Sequence, residues 1–357
     1  MVRFIAKYRH IITAIVAVVF IGCMVYFGIR TNNMKNGLVQ SDVFAGKAMG
    51  TAIKKTIYSD NTSENEEVNK MINTYLSDLE KQLSVRVEDS EVAKCNRNYA
   101  VDGVYALSDD ILTYLKDEMQ IGKETDGALS PCIRPVSDLW GIEDGKTEIP
   151  DDRLIQETLK STNMDDMEVA ENGVIFHAEN MAIDFGAVGK GIACDGIAER
   201  LAGAEIQGAV ISVGGSILVY GDKGDGRDWH IGIQNPRAEE GEVFGIVDIE
   251  GNKMISTSGD YEKYFEADGK RYHHIFDPAT GYPANSGLIS VTIISDSGFL
   301  SDAMSTACFV MGLEDGMAYA EEKGVEAVFV TDDKKVYITK GLKKNFRLQA
   351  DDYELEK

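Results

Sequence analysis

A glycine-rich turn near the middle of the chain has the residue types that bind phosphate. Residues 184–191 read Asp-Phe-Gly-Ala-Val-Gly-Lys-Gly, which predicts a strand ending at Asp184 and a helix beginning near Lys190. Such a turn directs backbone N–H groups, the positive helix end and a lysine at an anion. The glycine spacing fits neither a Walker A loop nor a GxGxxG motif. A phosphate or pyrophosphate site and a purely steric turn are therefore both open.

A second segment offers oxygen ligands for a hard cation. Asp302, Ser305 and Thr306 are spaced i, i+3 and i+4 at the start of a predicted helix, so their oxygens share one helical face. Carboxylate and hydroxyl oxygens suit Mg2+, which retains several water ligands and also coordinates phosphate oxygens. The alternative is an ordinary helix start, capped by Ser301, whose aspartate only complements the helix dipole.

Two adjacent histidines could supply a base. His273 and His274 lie directly before the run Asp-Pro-Ala-Thr-Gly-Tyr-Pro at 277–283, which has the residues of a rigid turn. An imidazole can accept a proton near neutral pH. In the strand expected here the two side chains point to opposite faces, so at most one faces a common cleft.

The elements that must position these groups are predicted from periodicity and turn residues. Helices are predicted at 66–83, 109–125, 150–164, 190–201, 300–311 and 314–323. Strands are predicted at 47–58, 174–177, 181–185, 209–213, 217–219, 229–233, 289–294, 326–330 and 335–339. The pattern predicts an α+β fold of two lobes meeting across a cleft, with mixed and antiparallel sheets flanked by helices.

The N-terminal region has the pattern of a membrane anchor. Residues 11–29 are nineteen consecutive uncharged, mostly apolar positions, preceded by Arg3, Lys7 and Arg9. That length can cross a bilayer as a helix, and the basic flank favours a cytoplasmic N-terminus with an exported body. A cleaved signal peptide and lipidation of Cys23 are the alternatives. Residues 1–30 are therefore predicted to be the anchor and residues 31–45 a polar tether.

Composition excludes several classes of protein. The chain carries 59 acidic and 36 basic side chains, a net charge of -23, which argues against nucleic-acid binding. Its five cysteines show no CxxC or Cys/His spacing, which argues against zinc and iron–sulfur sites. Cys194 and Cys308 fall in predicted helices and are expected to be small core residues.

Taken in order along the chain, these segments resemble the ApbE family of FAD:protein FMN transferases. The resemblance covers roughly residues 49–312. It rests on Met49-Gly50-Thr51, Asp89-Ser90-Glu91-Val92, Thr125-Asp126-Gly127-Ala128 with Pro131, Leu139-Trp140-Gly141, the turn at 184–191, Val213-Gly214-Gly215, Gly232-Ile233-Gln234-Asn235-Pro236-Arg237, Thr257-Ser258-Gly259-Asp260-Tyr261, the segment 274–283, and Asp302-Ala303-Met304-Ser305-Thr306-Ala307. Residues 46–345 are then the expected catalytic domain, preceded by one transmembrane helix and followed by an acidic tail at 346–357.

The resemblance implies a reaction and a set of site residues. Family members cleave FAD with Mg2+, release AMP and attach FMN through a phosphoester to a Ser or Thr of a target protein. The residues expected to contact FAD are Met49, Ala128, Leu129, Ser130, Asp184, Lys190 and Ile275. Those expected around Mg2+ are Asp302, Thr306, Ser305 and the carbonyl of Ala187. His274 matches the histidine that is suspected of deprotonating the acceptor hydroxyl, with Asp302 and Lys190 as its catalytic partners.

The chain departs from the family pattern at a few positions. Arg86 stands where many members have a tyrosine that packs on the flavin or adenine, and it is expected to stack or to contribute charge instead. Ser130 replaces a common acidic residue, and Ala187 and Val188 replace a Gly-Ile pair. These differences concern details of FAD contact more than the reaction.

The same resemblance suggests partners and rival functions. Acceptors would be flavin-carrying subunits of Rnf-type or sodium-pumping NADH:quinone oxidoreductases, or secreted reductase domains, outside a bacterial cytoplasmic membrane. The rivals are a Mg2+-dependent FAD pyrophosphatase that forms FMN and AMP, a flavin-binding protein without transfer activity, and a membrane-tethered scaffold.

Overall fold

The computed structural model describes residues 40–224 and 226–356. The predicted anchor and Cys23 lie outside these ranges. Within them, no helix combines the length and the apolar character that a bilayer crossing requires. The four cysteines that the structure describes are buried and free, and Cys194 and Cys308 lie in helices as predicted.

Strands and helices alternate irregularly along the chain, as in an α+β protein. The strands are β1 (Gln40–Ala48), β2 (Thr51–Ser59), β3 (Val104–Ala106), β4 (Met167–Val169), β5 (Gly173–Phe176), β6 (Gly208–Val213), β7 (Ser216–Gly221), β8 (Trp229–Gln234), β9 (Val243–Ile249), β10 (Lys253–Gly259), β11 (Tyr264–Ala267), β12 (Lys270–His273), β13 (Leu288–Ser295), β14 (Glu326–Thr331), β15 (Lys335–Ile338), β16 (Phe346–Leu348) and β17 (Glu354–Leu355). The helices are α1 (Thr62–Leu83), α2 (Glu91–Asn98), α3 (Asp109–Glu124), α4 (Arg134–Trp140), α5 (Asp152–Thr158), α6 (Gly189–Leu201), α7 (Gly298–Met311) and α8 (Leu313–Lys323). The α+β class and most predicted elements are confirmed.

A mixed sheet of nine strands organises the fold, in the order β1-β2-β6-β7-β10-β13-β14-β15-β17. Neighbouring strands are antiparallel except β15 and β17, which are parallel. Helices α1, α3, α6, α7 and α8 contribute to the buried clusters on one face, and the small sheet β16-β9-β8 packs on the other. Strand β13, the sixth of the nine, is buried at every position, because both faces of the sheet are covered there.

The start of α7 differs from the prediction. Its N-cap is Ser297, whose hydroxyl accepts a hydrogen bond from the N–H of Leu300, and the helix begins at Gly298. Ser301 is instead buried inside the helix and donates back to the Ser297 carbonyl at 2.9 Å. Asp302 therefore lies one turn into the helix rather than beside its cap.

Two predicted strands are wrong in detail. Met49 and Gly50 do not lie within a strand but form the turn of the β1–β2 hairpin, with φ of 51° and 70°, as two-residue hairpin turns require. Residues 181–185 belong to no strand. There the side-chain amide of Asn96 binds both the N–H of Ile183, at 2.9 Å, and its carbonyl, at 2.8 Å. Together with the hydroxyl of Tyr99, which accepts from the N–H of Met181 at 2.8 Å, the Asn96 side chain takes hydrogen bonds that a neighbouring strand would make.

The predicted tether and tail are also partly wrong. Strand β1 begins at Gln40, so the last part of the expected tether belongs to the nine-stranded sheet. The expected acidic tail contributes β16 and β17. Between them Tyr353 is 5 % exposed and stacks on Phe244 at 5.2 Å. Near the C-terminus, the Tyr353 side chain is therefore part of the folded domain.

Candidate active site

The turn before α6 meets the beginning of α7. The backbone N–H of Gly191 donates to Asp302 Oδ2 at 2.9 Å, and Lys190 Nζ lies 3.6 Å from Asp302 Oδ1. A Cβ on Gly191 would lie 2.1 Å from the carbonyl oxygen of Gly298, so only glycine allows this approach. The structure thus joins the predicted phosphate turn and the predicted cation segment into one site.

Asp302 is a buried carboxylate whose orientation is fixed. It is 2 % exposed, and besides Gly191 it accepts a hydrogen bond from the Ser216 hydroxyl at 3.1 Å. Burial opposes the charged form of Lys190, yet the carboxylates of Asp302, Glu262 and Glu143 outweigh it and raise the pKa of the lysine. Lys190 is therefore an ammonium group at neutral pH, directed along the site by its bond to the Gly186 carbonyl.

A row of hydroxyl groups continues the site from Asp302. The Ser258 hydroxyl lies 2.8 Å from that of Ser305 and 3.1 Å from that of Thr306. Ser305 also donates to the backbone carbonyl of Asp302 at 2.9 Å. Ser256 donates to Ser216 at 2.9 Å. The sequence analysis assigned no site role to Ser216, Ser256 or Ser258, although alternation along β10 places the last two on one face.

The donor set fits a magnesium ion. Asp302 supplies one carboxylate, and Ser305, Thr306 and Ser258 supply hydroxyl oxygens, all hard ligands. Ala187 lies in the turn at 186–188, directly before α6. In residues 40–224 and 226–356 no group of three or more His, Cys, Asp or Glu side chains is arranged to hold a metal. The set therefore suits Mg2+ that keeps water and phosphate oxygens rather than a metal enclosed by protein ligands.

The predicted FAD-contact residues Met49 and Ala128 to Ser130 border the same turn. The Met49 methyl group lies 3.7 Å from the position of a Cβ on Gly189. The N–H of Asp184 donates to the Pro131 carbonyl at 2.9 Å, which ties the loop of Ala128, Leu129 and Ser130 to the turn. Leu129 and Ser130 are buried, and Ser130 Oγ accepts from the N–H of Cys132. Contact of these residues with FAD stays a prediction.

Asp184 shapes the turn through two protein contacts. One oxygen accepts from the N–H of Gly186 at 2.6 Å, and the other pairs with Arg134 at 3.0 Å. Burial raises the pKa of Asp184, and the Arg134 guanidinium opposes that rise. Arg134 also pairs with Asp138 at 2.5 Å. Sequence reasoning missed Arg134, because its partner Asp184 is fifty residues away and no local motif marks the pair.

The two adjacent histidines differ in how many of their ring nitrogens are hydrogen-bonded within the protein. His273 is buried; its Nε2 donates to the Ala284 carbonyl at 3.0 Å, and its Nδ1 accepts from the N–H of Ile275 at 3.3 Å. Both of its nitrogens are therefore committed to structure. Burial lowers its pKa. Ile275 is 7 % exposed and belongs to the buried cluster that includes Met304 of α7.

His274 lies just beyond β12 and is the histidine available for chemistry. Its Nδ1 lies 3.3 Å from the Lys263 carbonyl, and a carbonyl can only accept. The proton is therefore on Nδ1, and Nε2 carries the free lone pair. Burial lowers the pKa of His274 to about 4, although the Glu143 carboxylate opposes this shift. The ring is neutral at pH 7 and can accept a proton.

An ion-pair cluster lies beside His274. Arg86 pairs with Asp144 at 2.5 Å and with Glu143 at 3.2 Å, and Lys263 pairs with Glu143 at 2.5 Å. Burial opposes ionisation of Glu143, but Lys263 and its other cationic neighbours lower its pKa to about 2. Arg86 was expected to stack on FAD or to supply charge, and here its charge is shared with two carboxylates. Nothing in the local sequence marked Glu143 or Lys263.

Fold and site together define a class of protein. The N-terminus of α6, a buried carboxylate–ammonium pair, a row of hydroxyls and a neutral histidine together form a site that suits a phosphorylated ligand. Residues 49–329 match the ApbE family. The chain belongs to the ApbE family.

Relatives of known name agree with that membership. The chain is 31% identical over 294 residues to the FAD:protein FMN transferase of Vibrio cholerae, covering 81% of this chain and 87% of the relative. It is 29% identical over 321 residues to the Escherichia coli K12 protein of the same name, covering 88% and 90%.

Solved structures share the fold. The ApbE protein of Thermotoga maritima superposes with a TM-score of 0.78 at 28% identity, covering 86% of this chain and 100% of that one. The flavinyl transferase ApbE of Pseudomonas stutzeri superposes with a TM-score of 0.75 at 28% identity, covering 87% and 98%. The expected ApbE-like α+β fold is confirmed.

Proposed function

We propose that this chain is an FAD:protein FMN transferase, the activity for which its relatives are named. It is an enzyme of the transferase class, and FAD is its substrate. One observation carries the chemistry: Asp302 of α7 is bonded to the N–H of Gly191 and lies beside Lys190, at the N-terminus of α6. This junction sets a carboxylate, an ammonium group and a helix N-terminus around one position, as a dinucleotide pyrophosphate with a cation requires.

We assign the residues of the site to separate steps of the reaction. Lys190 and the N-terminal turn of α6 hold the pyrophosphate and offset its charge. His274 Nε2 accepts the proton of a Ser or Thr hydroxyl on the target protein. The hydroxyl oxygen forms a bond to the FMN phosphorus, the phosphorus–oxygen bond to AMP breaks, and AMP departs. The product is FMN joined to the target through a phosphoester.

We infer that Mg2+ takes part, held by Asp302 and Thr306, with Ser305 and the carbonyl of Ala187 nearby. The support is the hard-oxygen donor set, in which one carboxylate leaves room for phosphate oxygens and water. When bound, such an ion neutralises charge on the pyrophosphate during substitution at phosphorus.

We further propose that residues 1–30 anchor the enzyme in the bacterial cytoplasmic membrane with its catalytic domain outside. The support is the uncharged stretch 11–29 with its basic flank. Acceptors would then be extracytoplasmic flavin-carrying proteins, such as Rnf or NADH:quinone oxidoreductase subunits or secreted reductase domains. Protease treatment of intact spheroplasts should digest the catalytic domain, and its protection would contradict this orientation.

The decisive experiment incubates the full chain with FAD, Mg2+ and a domain that carries an acceptor threonine. We expect the acceptor to gain the mass of one FMN phosphoester while AMP appears in equal amount. Free FMN and AMP without a modified acceptor would instead establish an FAD pyrophosphatase. Retention of intact FAD without either product would establish a flavin-binding protein, and absence of FAD binding would leave only a scaffold.

A further inference from the structure

The Lys263 carbonyl holds His274 by two hydrogen bonds. It accepts from the backbone N–H of His274 at 3.1 Å and contacts Nδ1 at 3.3 Å. Because a carbonyl oxygen has no proton to give, this contact keeps the imidazole proton on Nδ1. A base that acts through Nε2 therefore depends on where the Lys263 carbonyl lies.

Both the backbone and the side chain of Lys263 position it. Residues 260–263 form a turn and bend between β10 and β11, and the β11–β12 pairing begins at the next residue, where Tyr264 lies opposite His273. The Lys263 ammonium group lies 2.5 Å from Glu143 Oε1, and Arg86 binds the other oxygen of Glu143 at 3.2 Å. Glu143 thus connects the loop that carries Lys263 to the segments around Arg86 and α4.

We propose that Glu143 is a positioning residue for the transfer reaction: through Lys263 it fixes the carbonyl that keeps His274 protonated on Nδ1 and leaves Nε2 to accept the acceptor proton. This inference rests on the proposed function and assigns a role to residues that no motif marked. Glu143 acts through Lys263 and is not itself required to touch FAD or the acceptor.

The charges around His274 predict how its pKa responds to substitution. Glu143 raises the pKa of His274, whereas Lys263, His273 and Lys190 lower it. Removing the Glu143 charge should therefore lower the pKa of His274, and removing the Lys263 charge should raise it. These two shifts follow from charge alone, so the tautomer of His274 is the readout that a purely structural role of Glu143 would leave unchanged.

The test compares Glu143→Gln, Glu143→Ala and Lys263→Met in the full chain. For Glu143→Ala we expect kcat to fall about 10- to 100-fold, part of the factor that general-base catalysis supplies, with KM for FAD unchanged within about twofold. Glu143→Gln keeps an oxygen that can accept from Lys263, so it should retain several times the kcat of Glu143→Ala. The acid limb of the kcat–pH profile should move to lower pH in Glu143→Gln and to higher pH in Lys263→Met.

A second measurement does not depend on activity. In the full chain labelled with 15N-histidine, the His274 signals are identified by their loss in His274→Gln. We expect the wild-type spectrum to show a proton on Nδ1 alone and Glu143→Ala to show a mixture of tautomers. The control is Glu321→Gln, which removes an exposed carboxylate paired with Lys340 at 3.4 Å on α8 and should behave as wild type.

The outcomes separate the two proposals. An unchanged His274 spectrum in Glu143→Ala, or a kcat within twofold of wild type, overturns the positioning role while transfer itself stands. A proportional rise of KM at constant kcat overturns it too, because Glu143 would then bind substrate. If wild type modifies no acceptor, the proposed function fails, and the tautomer comparison still decides whether Glu143 positions His274.

Discussion

The backbone N–H of Gly191 donates a hydrogen bond to the carboxylate of Asp302 across 2.9 Å, although the two residues lie 111 positions apart. The approach is mutual, because a Cβ on Gly298 would lie 2.2 Å from the Gly191 carbonyl. Helices α6 and α7 therefore cross at glycine backbones. The turn before α6 and the carboxylate that would hold a cation are thus joined by a direct hydrogen bond and a close backbone contact.

A side chain at this crossing should separate the helices. In Gly191→Ala the new Cβ would lie 2.1 Å from the Gly298 carbonyl and 2.8 Å from the Asp302 Cβ. We expect a loss of about 1–3 kcal/mol in the free energy of unfolding, as for other overpacked sites, and a loss of transfer activity. Urea unfolding measures the first and acceptor modification the second. Gly203→Ala is the matched control, because its Cβ would lie 3.8 Å from the nearest contact, the Arg200 carbonyl. Equal stability of the two variants would refute the crossing.

The charge of Asp302 can be tested without changing its shape. Asp302→Asn keeps the side-chain volume but removes the negative charge that faces Lys190 at 3.6 Å. We expect transfer to fall roughly a hundredfold or more, as when one preorganised electrostatic group is lost, at any Mg2+ concentration. Titration of activity with Mg2+ checks this. Asp296→Asn removes an exposed carboxylate paired with Lys253 and should leave activity intact. Wild-type activity of Asp302→Asn at high Mg2+ would disprove the assigned cation site.

We expect substitution of His274 to affect catalysis and substitution of the adjacent His273 to affect stability. His274→Ala should lower kcat about 10²–10⁴-fold with little change in Tm. His273 is buried, makes two hydrogen bonds and meets the Phe309 ring edge-on at 5.4 Å. His273→Ala should therefore destabilise the fold by about 1–3 kcal/mol, because it leaves buried partners unsatisfied. Kinetics and thermal unfolding of both variants provide the check, and a reversed pattern would mean that the other histidine is the base.

Sequence reasoning succeeded where the signal is local. The 3.6-residue period placed α1, α3, α6, α7 and α8 within a few residues. The glycine spacing before Lys190 marked the turn into α6, although residues 181–185 before it do not form the predicted strand, and the i, i+3, i+4 pattern placed Asp302, Ser305 and Thr306 on one face. These features depend on neighbours in the chain, which a single sequence displays.

Prediction from the sequence failed where a group distant in the chain determines the local structure. Residues 181–185 have the composition of a strand, yet the side chains of Asn96 and Tyr99 take hydrogen bonds that a strand would make. The pairs Arg134–Asp184 and Glu143–Lys263 join residues 50 and 120 positions apart. Such pairings follow from the tertiary fold, and no periodicity or motif encodes them.

Because of Glu118, we expect the free energy of unfolding to fall as pH rises. The residue lies on α3, is 0 % exposed, and neither of its carboxylate oxygens has a hydrogen-bond partner. Burial, with the charges of Asp184 and Asp302, raises its pKa well above the ordinary 4.5. The native state therefore keeps a proton that the unfolded chain releases. Linkage requires that the free energy of unfolding decline as pH rises above about 4.5, until native Glu118 also ionises.

Glu118→Gln removes this dependence because an amide is neutral at every pH. The variant and wild type should be about equally stable near pH 4, where both states of Glu118 are largely protonated. Above that pH the free energy of unfolding of the variant should exceed that of wild type, and the difference should grow by at most about 1.4 kcal/mol per pH unit. Urea unfolding from pH 4 to pH 8, without FAD or Mg2+, measures the difference. Glu157→Gln, at an exposed carboxylate paired with Lys160, is the control. Parallel stability curves for wild type and Glu118→Gln would show that Glu118 is ionised in the folded protein.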